Sequence, residues 1–225
     1  MTNFFQVKKK SKLSNARLGL INTSHGKINT PSFIFCGTKA TVKSVLPSQL
    51  KLARTQIILS NTYHLMLQPG SEIISKEGGL QSFTDWNGPM MTDSGGYQIF
   101  SLGYGSVSEE IKGKNNNAKR KSLIKITEDG ASFRNYINGD KVFLSPERSI
   151  ELQRDFGADL IFVLDECTPF NVSKKYTEKS MYMSHRWAAR CKKSFDSKFK
   201  KYNSTFGSSG KQSLYGIIQG GVYED

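Results

Sequence analysis

Four apolar runs in this sequence stop at polar side chains able to do chemistry. PMMTDSGGYQIFS (89–101) reaches Asp93 and continues with Ser94, two glycines, Tyr97 and Gln98. DLIFVLDEC (159–167) stops at Asp165 and Glu166, SLYGIIQGG (213–221) at Gln219 and Gly220, and QIILSNTYHL (56–65) at Ser60 and Asn61. A carboxylate at the mouth of a buried strand costs free energy unless it is paired or used. It also accepts two parallel N–H bonds, which suits the N1–H and exocyclic amine of guanine. Gln219 can present its amide to a carbonyl such as O6, and Tyr97 offers a ring for stacking. The glycines after Ser94 permit a sharp turn and close approach of a flat ligand. An aromatic ring, a carboxylate and an amide on strand ends read together as a guanine pocket. Asp93 taken alone reads equally as a helix cap or as a functional carboxylate.

The elements that must position these residues follow from the same runs. Continuous rather than alternating apolar stretches fit strands buried on both faces of a parallel sheet. Between them, LPSQLKLARTQ (46–56) has Pro47 at a helix start, and SPERSIELQRDFGAD (145–159) has Ser145 as N-cap, Pro146 at the first turn and Gly157 as a stop. Residues 178–199 form a long amphipathic helix with one basic face. Strand–helix alternation means an α/β fold. Polar residues collecting at strand C-termini is the layout of a (β/α)8 TIM barrel, with a doubly wound sheet as the competing architecture. The stretch 101–144 breaks the rhythm: β-rich runs flank Glu128-Asp129-Gly130, and a second turn signal follows at 138–140, predicting an antiparallel hairpin insertion. KGKNNNAKRK (112–121) within it reads as a basic, solvated loop.

A chain of 225 residues with 37% apolar and 11% aromatic content can build a core. No run is long enough to span a bilayer and the first residues carry no secretory pattern, so a cytoplasmic protein without a membrane role is expected. Cys36, Cys167 and Cys191 and the three histidines are scattered, so no metal ligand set is read. The formal charge of +13 suits a polyanionic partner. Eleven Lys and Arg against Glu178 and Asp196 fall between 171 and 211, which favours a phosphate-facing patch there over an evenly solvated surface.

Seven segments in order, ARLGLINTSHGKINTPSFIFCGTKATVKSV (16–45), SNTYHLMLQPG (60–70), DSGGYQIFS (93–101), ITEDGASFR (126–134), DECTPF (165–170), HRWAARCKKSFD (185–196) and YGIIQGG (215–221), resemble the tRNA-guanine transglycosylase, or queuine tRNA-ribosyltransferase, family of bacterial type. The resemblance implies a TIM barrel that exchanges the wobble guanine of tRNA for a 7-deazaguanine base, preQ1 or queuine, in queuosine biosynthesis. Exchange at C1′ with retained configuration resembles retaining glycoside chemistry, which needs a nucleophilic carboxylate and an acid/base. By motif position, Asp93 resembles the general acid/base and Tyr97 the residue stacked on the base. Asp165 resembles the carboxylate reading the guanine edge, Gln219 the amide facing O6, and Asn61 the polar residue near the ribose. Ser94 and Gly220 complete the implied substrate-binding set. Cys167 matches the pocket position of preQ1 enzymes.

The family pattern continues beyond Asp225 with its aspartate nucleophile, a structural zinc site and a helical region. The expectation is therefore the N-terminal part of a single TIM-barrel domain over 1–225, with about five of eight strands. No cofactor belongs to these residues, the isolated chain is expected to be inactive, and a homodimer is implied for the full-length protein. A non-catalytic tRNA-binding or subunit-complementing relative is the alternative. A hydrolase of small sugars would need a second carboxylate beside Asp93, and the basic surplus disfavours it.

Overall fold

The computed structural model describes residues 4–104, 124–170, 172–197 and 212–223. The predicted 112–121 loop lies outside the described residues. In chain order the elements are β1 (Phe5–Lys10), β2 (Arg17–Thr23), β3 (Gly26–Thr30), β4 (Phe35–Cys36), α1 (Pro47–Leu52), β5 (Ile58–Ser60), α2 (Thr62–Leu67), α3 (Ser71–Lys76), α4 (Leu80–Phe83) and β6 (Met90–Thr92). There follow α5 (Gly96–Tyr104), β7 (Lys125–Thr127), β8 (Gly130–Arg134), β9 (Lys141–Leu144), α6 (Pro146–Phe156), β10 (Leu160–Phe162), α7 (Lys174–Ser197) and β11 (Ser213–Tyr215). They divide into two compact units. The first comprises Met1–Asp93, Leu152–Ile161 and Lys198–Leu214, and the second Ser94–Glu151, Phe162–Ser197 and Tyr215–Asp225.

The first unit holds an antiparallel sheet, β1–β2–β3, and a five-stranded sheet in the order β11–β10–β6–β5–β4. Within the latter, β4 pairs with β5, β5 with β6 and β6 with β10, all parallel. Ile58, Met90, Leu160 and Ile161 are almost wholly buried, as strands covered on both faces require. At the starts of β6 and β10 the buried Asp159 is fully used. It accepts from the Met90 amide at 3.0 Å, Gln81 Nε2 at 3.1 Å and the His25 amide at 3.3 Å, with His25 Nδ1 at 2.9 Å. This side chain fastens the β2–β3 turn and α4 to the sheet, and a buried carboxyl is tolerated there because both its oxygens are engaged.

The second unit is built on α7 and a three-stranded antiparallel sheet, β7–β8–β9. Trp187 is buried and its Nε1 donates to Glu128 O at 2.7 Å. Arg186 grips the Glu128 carboxylate with Nε and Nη2 at 2.7 and 2.9 Å, and Arg190 grips Glu147 with Nε and Nη2, both at 2.8 Å. Those hydrogen bonds hold both glutamate carboxyls below the usual range. With Lys192 donating to Asp196 at 2.6 Å, three of the cations counted toward a phosphate-facing patch over 171–211 are paired within the protein. Cys191 is buried, and burial pushes its thiol up to about 12.

Several expectations change. Each parallel strand is only two or three residues long, and the runs predicted as strands turn helical early, at Thr62 and at Gly96. Ser101–Tyr104 continues α5 rather than opening the insertion, which has three described strands. α7 begins at Lys174, four residues before the periodicity indicated. The five strands form a linear order with β11 and β4 at its edges; no closed barrel is formed among the described residues.

Candidate functional site

In the first unit, the end of β6 delivers Asp93 beside the start of α2. The Asp93 amide donates to Ser60 O at 3.3 Å, which fixes its backbone against β5. Asn61 Nδ2 donates to Asp93 Oδ2, the Thr62 amide donates to Oδ1 at 2.8 Å, and Thr62 Oγ1 donates to Asp93 O at 2.5 Å. Both carboxylate oxygens are thereby oriented while the side chain stays partly accessible. The cap reading of Asp93 is met in an unexpected way: it satisfies an orphan amide of α2, a helix remote in sequence. Nearby His64 is held below its usual pKa by burial and by Lys39, with Asp93 acting in the opposite sense.

In the second unit, Asp165 follows β10 and is 5% exposed. Ser94 Oγ donates to its Oδ1 at 3.2 Å, Gln219 Nε2 to its Oδ2 at 2.6 Å, and Cys167 Sγ lies 3.5 Å from Oδ2. Burial raises the Asp165 pKa, and the donors from Gln219, Cys167 and Ser94 pull it back. Burial and the neighbouring carboxylate push the Cys167 thiol up to about 12, so it stays a neutral donor. Ser94 is itself pinned, since Ser149 Oγ donates to Ser94 O at 2.8 Å and the Gly96 amide donates to Ser94 Oγ at 3.2 Å. Gly96 cannot be replaced without movement: a Cβ there would stand 2.5 Å from Asp165 O and 2.9 Å from its Oδ1.

A cleft of about 410 Å³ opens beside this cluster, lined among others by Tyr97, Cys167, Phe170, Gln219 and Tyr223. Tyr97 is half exposed, and Phe170 is more so, leaving apolar rings in the cleft. Gly220 and Gly221 both take positive φ, 151° and 62°, and so carry the chain round the cleft where a side chain would be strained.

Of the residues singled out in the sequence, Asn61 is brought to Asp93 in the first unit. Ser94, Tyr97, Asp165, Gln219 and Gly220 belong to the second. Glu166, adjacent to Asp165, goes elsewhere: its carboxylate accepts from Tyr176 OH at 2.6 Å and its amide donates to Ser184 Oγ at 3.0 Å, both from α7. Sequence reasoning misses Thr62, Ser149, Phe170 and Tyr223. Thr62 and Ser149 act through a backbone amide or a tertiary hydroxyl bond that no local pattern signals; Phe170 stands in the DECTPF motif and is legible there.

These elements define an α/β protein whose parallel strand ends carry hydrogen-bonded carboxylates and amides. A family model described as queuine tRNA-ribosyltransferase matches residues 11–225. A queuine tRNA-ribosyltransferase of Roseiflexus sp. strain RS-1 is 42% identical over 226 residues, covering 100% of this chain and 56% of that protein. Those of Staphylococcus epidermidis and Staphylococcus aureus are 44% and 45% identical over 217 residues, covering 96% of this chain and 50% of theirs. The chain belongs to the queuine tRNA-ribosyltransferase family. It spans about half the length of the curated relatives it matches. Among the described residues no helix is long and apolar enough to cross a membrane.

Proposed function

We propose that these residues supply the acid/base and the base-reading pocket of a tRNA-guanine transglycosylase, acting on the wobble guanine of tRNA and a 7-deazaguanine. The observation that carries the reading is the buried Asp165 carboxylate facing the Gln219 amide at 2.6 Å beside a cleft edged by Tyr97. A purine entering the cleft would exchange that bond for its own: N1–H and the exocyclic amine to Asp165, O6 from the Gln219 amide, and its face against Tyr97.

Asp93 is assigned the proton transfer. When a carboxylate nucleophile attacks C1′, the bond to guanine N9 breaks and the leaving base takes a proton from Asp93; the incoming base returns it before bonding to the ribose. Asn61 and Thr62 aim the carboxylate. Asp165 is committed to the base, so the nucleophile is assigned to the further aspartate of the family pattern. The isolated 225-residue chain is accordingly expected to bind base without sustained exchange. The five strands are read as part of a (β/α)8 barrel, and the incoming base as preQ1 or queuine. A cytoplasmic homodimer is the expected assembly of the full-length enzyme. A structural zinc is read as belonging to the C-terminal region of the family pattern, and no step is routed through it.

The test is incorporation of labelled guanine into tRNA by an enzyme containing this chain, compared with its Asp93→Asn variant. Incorporation that survives the substitution unchanged contradicts the assignment.

A further inference from the structure

The antiparallel sheet of the first unit carries a charge distribution that folding does not use. No Asp or Glu precedes Glu72 in the chain, yet Lys8, Lys9, Lys10, Lys12, Arg17 and Lys27 fall on or beside β1–β3. Every residue from Val7 to Leu18 is exposed, and in β1 only Gln6 is partly covered. Among the described residues none of the six cations enters an ion pair: Lys8 Nζ donates to Gln6, and the Arg17 guanidinium stands 5.8 Å from the centre of the Phe5 ring. A bulge between Val7 and Lys9 shifts the register so that Lys10 pairs directly with Arg17. Like charges opposite one another on adjacent strands repel, and nothing anionic in the sheet offsets them. β1 buries little, so core formation does not explain why it is kept in place.

We propose that the β1–β2 ribbon is a docking surface for the phosphate backbone of RNA. Clustered, unneutralised cations interleaved with exposed rings are the footprint of such a surface, and Phe4 and Phe5 are both more than a third exposed beside them. The register turns Lys9 to the face of Leu18 and Lys10 to the face of Arg17, so cations leave the ribbon on both sides. That arrangement suits a ribbon flanked by phosphates, whereas an anionic bilayer meets one face and wants that face apolar. The inference concerns the phosphate backbone alone and stands whether or not base exchange is the activity.

It is tested by acetylating the wild-type chain with and without an unmodified RNA hairpin and reading lysine modification by mass spectrometry. Lys8, Lys9, Lys10 and Lys12 are expected to be protected several-fold, with Lys51 and Lys76 unchanged. Combined Lys8→Gln, Lys9→Gln, Lys10→Gln and Lys12→Gln substitution should also flatten the slope of log affinity against log salt by ~3, at roughly 0.7–0.9 for each phosphate no longer neutralised. Three results overturn the proposal: no RNA binding at all, protection confined to α7 lysines, or protection by phosphatidylserine vesicles with none by RNA.

Discussion

The Gln219 amide reaches the Asp165 carboxylate at 2.6 Å, joining the ends of two stretches that lie 54 residues apart in the chain. Asp165 is 5% exposed, so it depends on that bond and on the Ser94 hydroxyl for most of its solvation. Gln219→Glu would place two carboxyls at that separation, where both cannot ionise. Guanine affinity near neutral pH is expected to fall by at least ~10-fold, since leaving a buried polar group badly paired costs about 1–3 kcal/mol. Equilibrium dialysis with labelled guanine checks this, and an unaltered dissociation constant would count against the pocket.

The same carboxyl sets a pH dependence. Burial raises the Asp165 pKa in the folded chain, so its proton is held to higher pH than in the unfolded chain. Its contribution to stability is therefore present below the ordinary aspartate value of about 3.9 and is lost as pH rises through the raised value. Guanine binding runs the other way, strengthening across that window as the ionised acceptor forms. The difference in urea stability between wild type and Asp165→Asn should shrink or reverse as pH is lowered toward about 4. A difference that does not change with pH refutes the linkage.

Gly96 reports on how closely the turn after β6 packs against Asp165. With Asp165 O at 2.5 Å from a hypothetical Cβ, Gly96→Ala must displace backbone rather than a flexible side-chain end. The expected loss is about 1–3 kcal/mol, the usual cost of overpacking. Urea unfolding that superimposes on wild type would show that the turn yields freely.

Asp93 makes a different prediction from Asp165. In the intact enzyme, Asp93→Asn should lower exchange by ~10²-fold or more, the usual contribution of a positioned acid/base. tRNA binding should stay within a few-fold, because it is spread over many phosphates. Filter binding and guanine incorporation measured on one preparation separate the two, and equal losses would mean that Asp93 is structural.

The sequence shows the parallel strands clearly because they are buried on both faces and therefore continuously apolar, as with Ile58 and Ile161. Ser145 and Gly157 bound α6 as expected: Arg148 donates its amide to Ser145 Oγ, and Gly157 takes φ 73°. The β1–β3 sheet is illegible on the same criterion, since β1 is polar and exposed and gains its partner only through long-range register. Helix α2 is hidden because Thr62, Tyr63 and Leu65 are buried and prolong the apolar run of β5. Residue types at strand ends announce Asp93 in the first unit and Asp165 and Gln219 in the second. The division of labour between Asp165 and Glu166 is not legible, because it turns on Tyr176 and Ser184 arriving from α7.

Asp165 is the residue proposed to read a purine edge. The most direct measurement is the affinity of labelled guanine for the protein and for Asp165→Ala, with circular dichroism confirming that both are folded. Two hydrogen bonds to a charged acceptor, at about 1.5–3 kcal/mol each, predict a loss of at least ~100-fold. Guanine bound equally well by a folded Asp165→Ala protein would contradict the account.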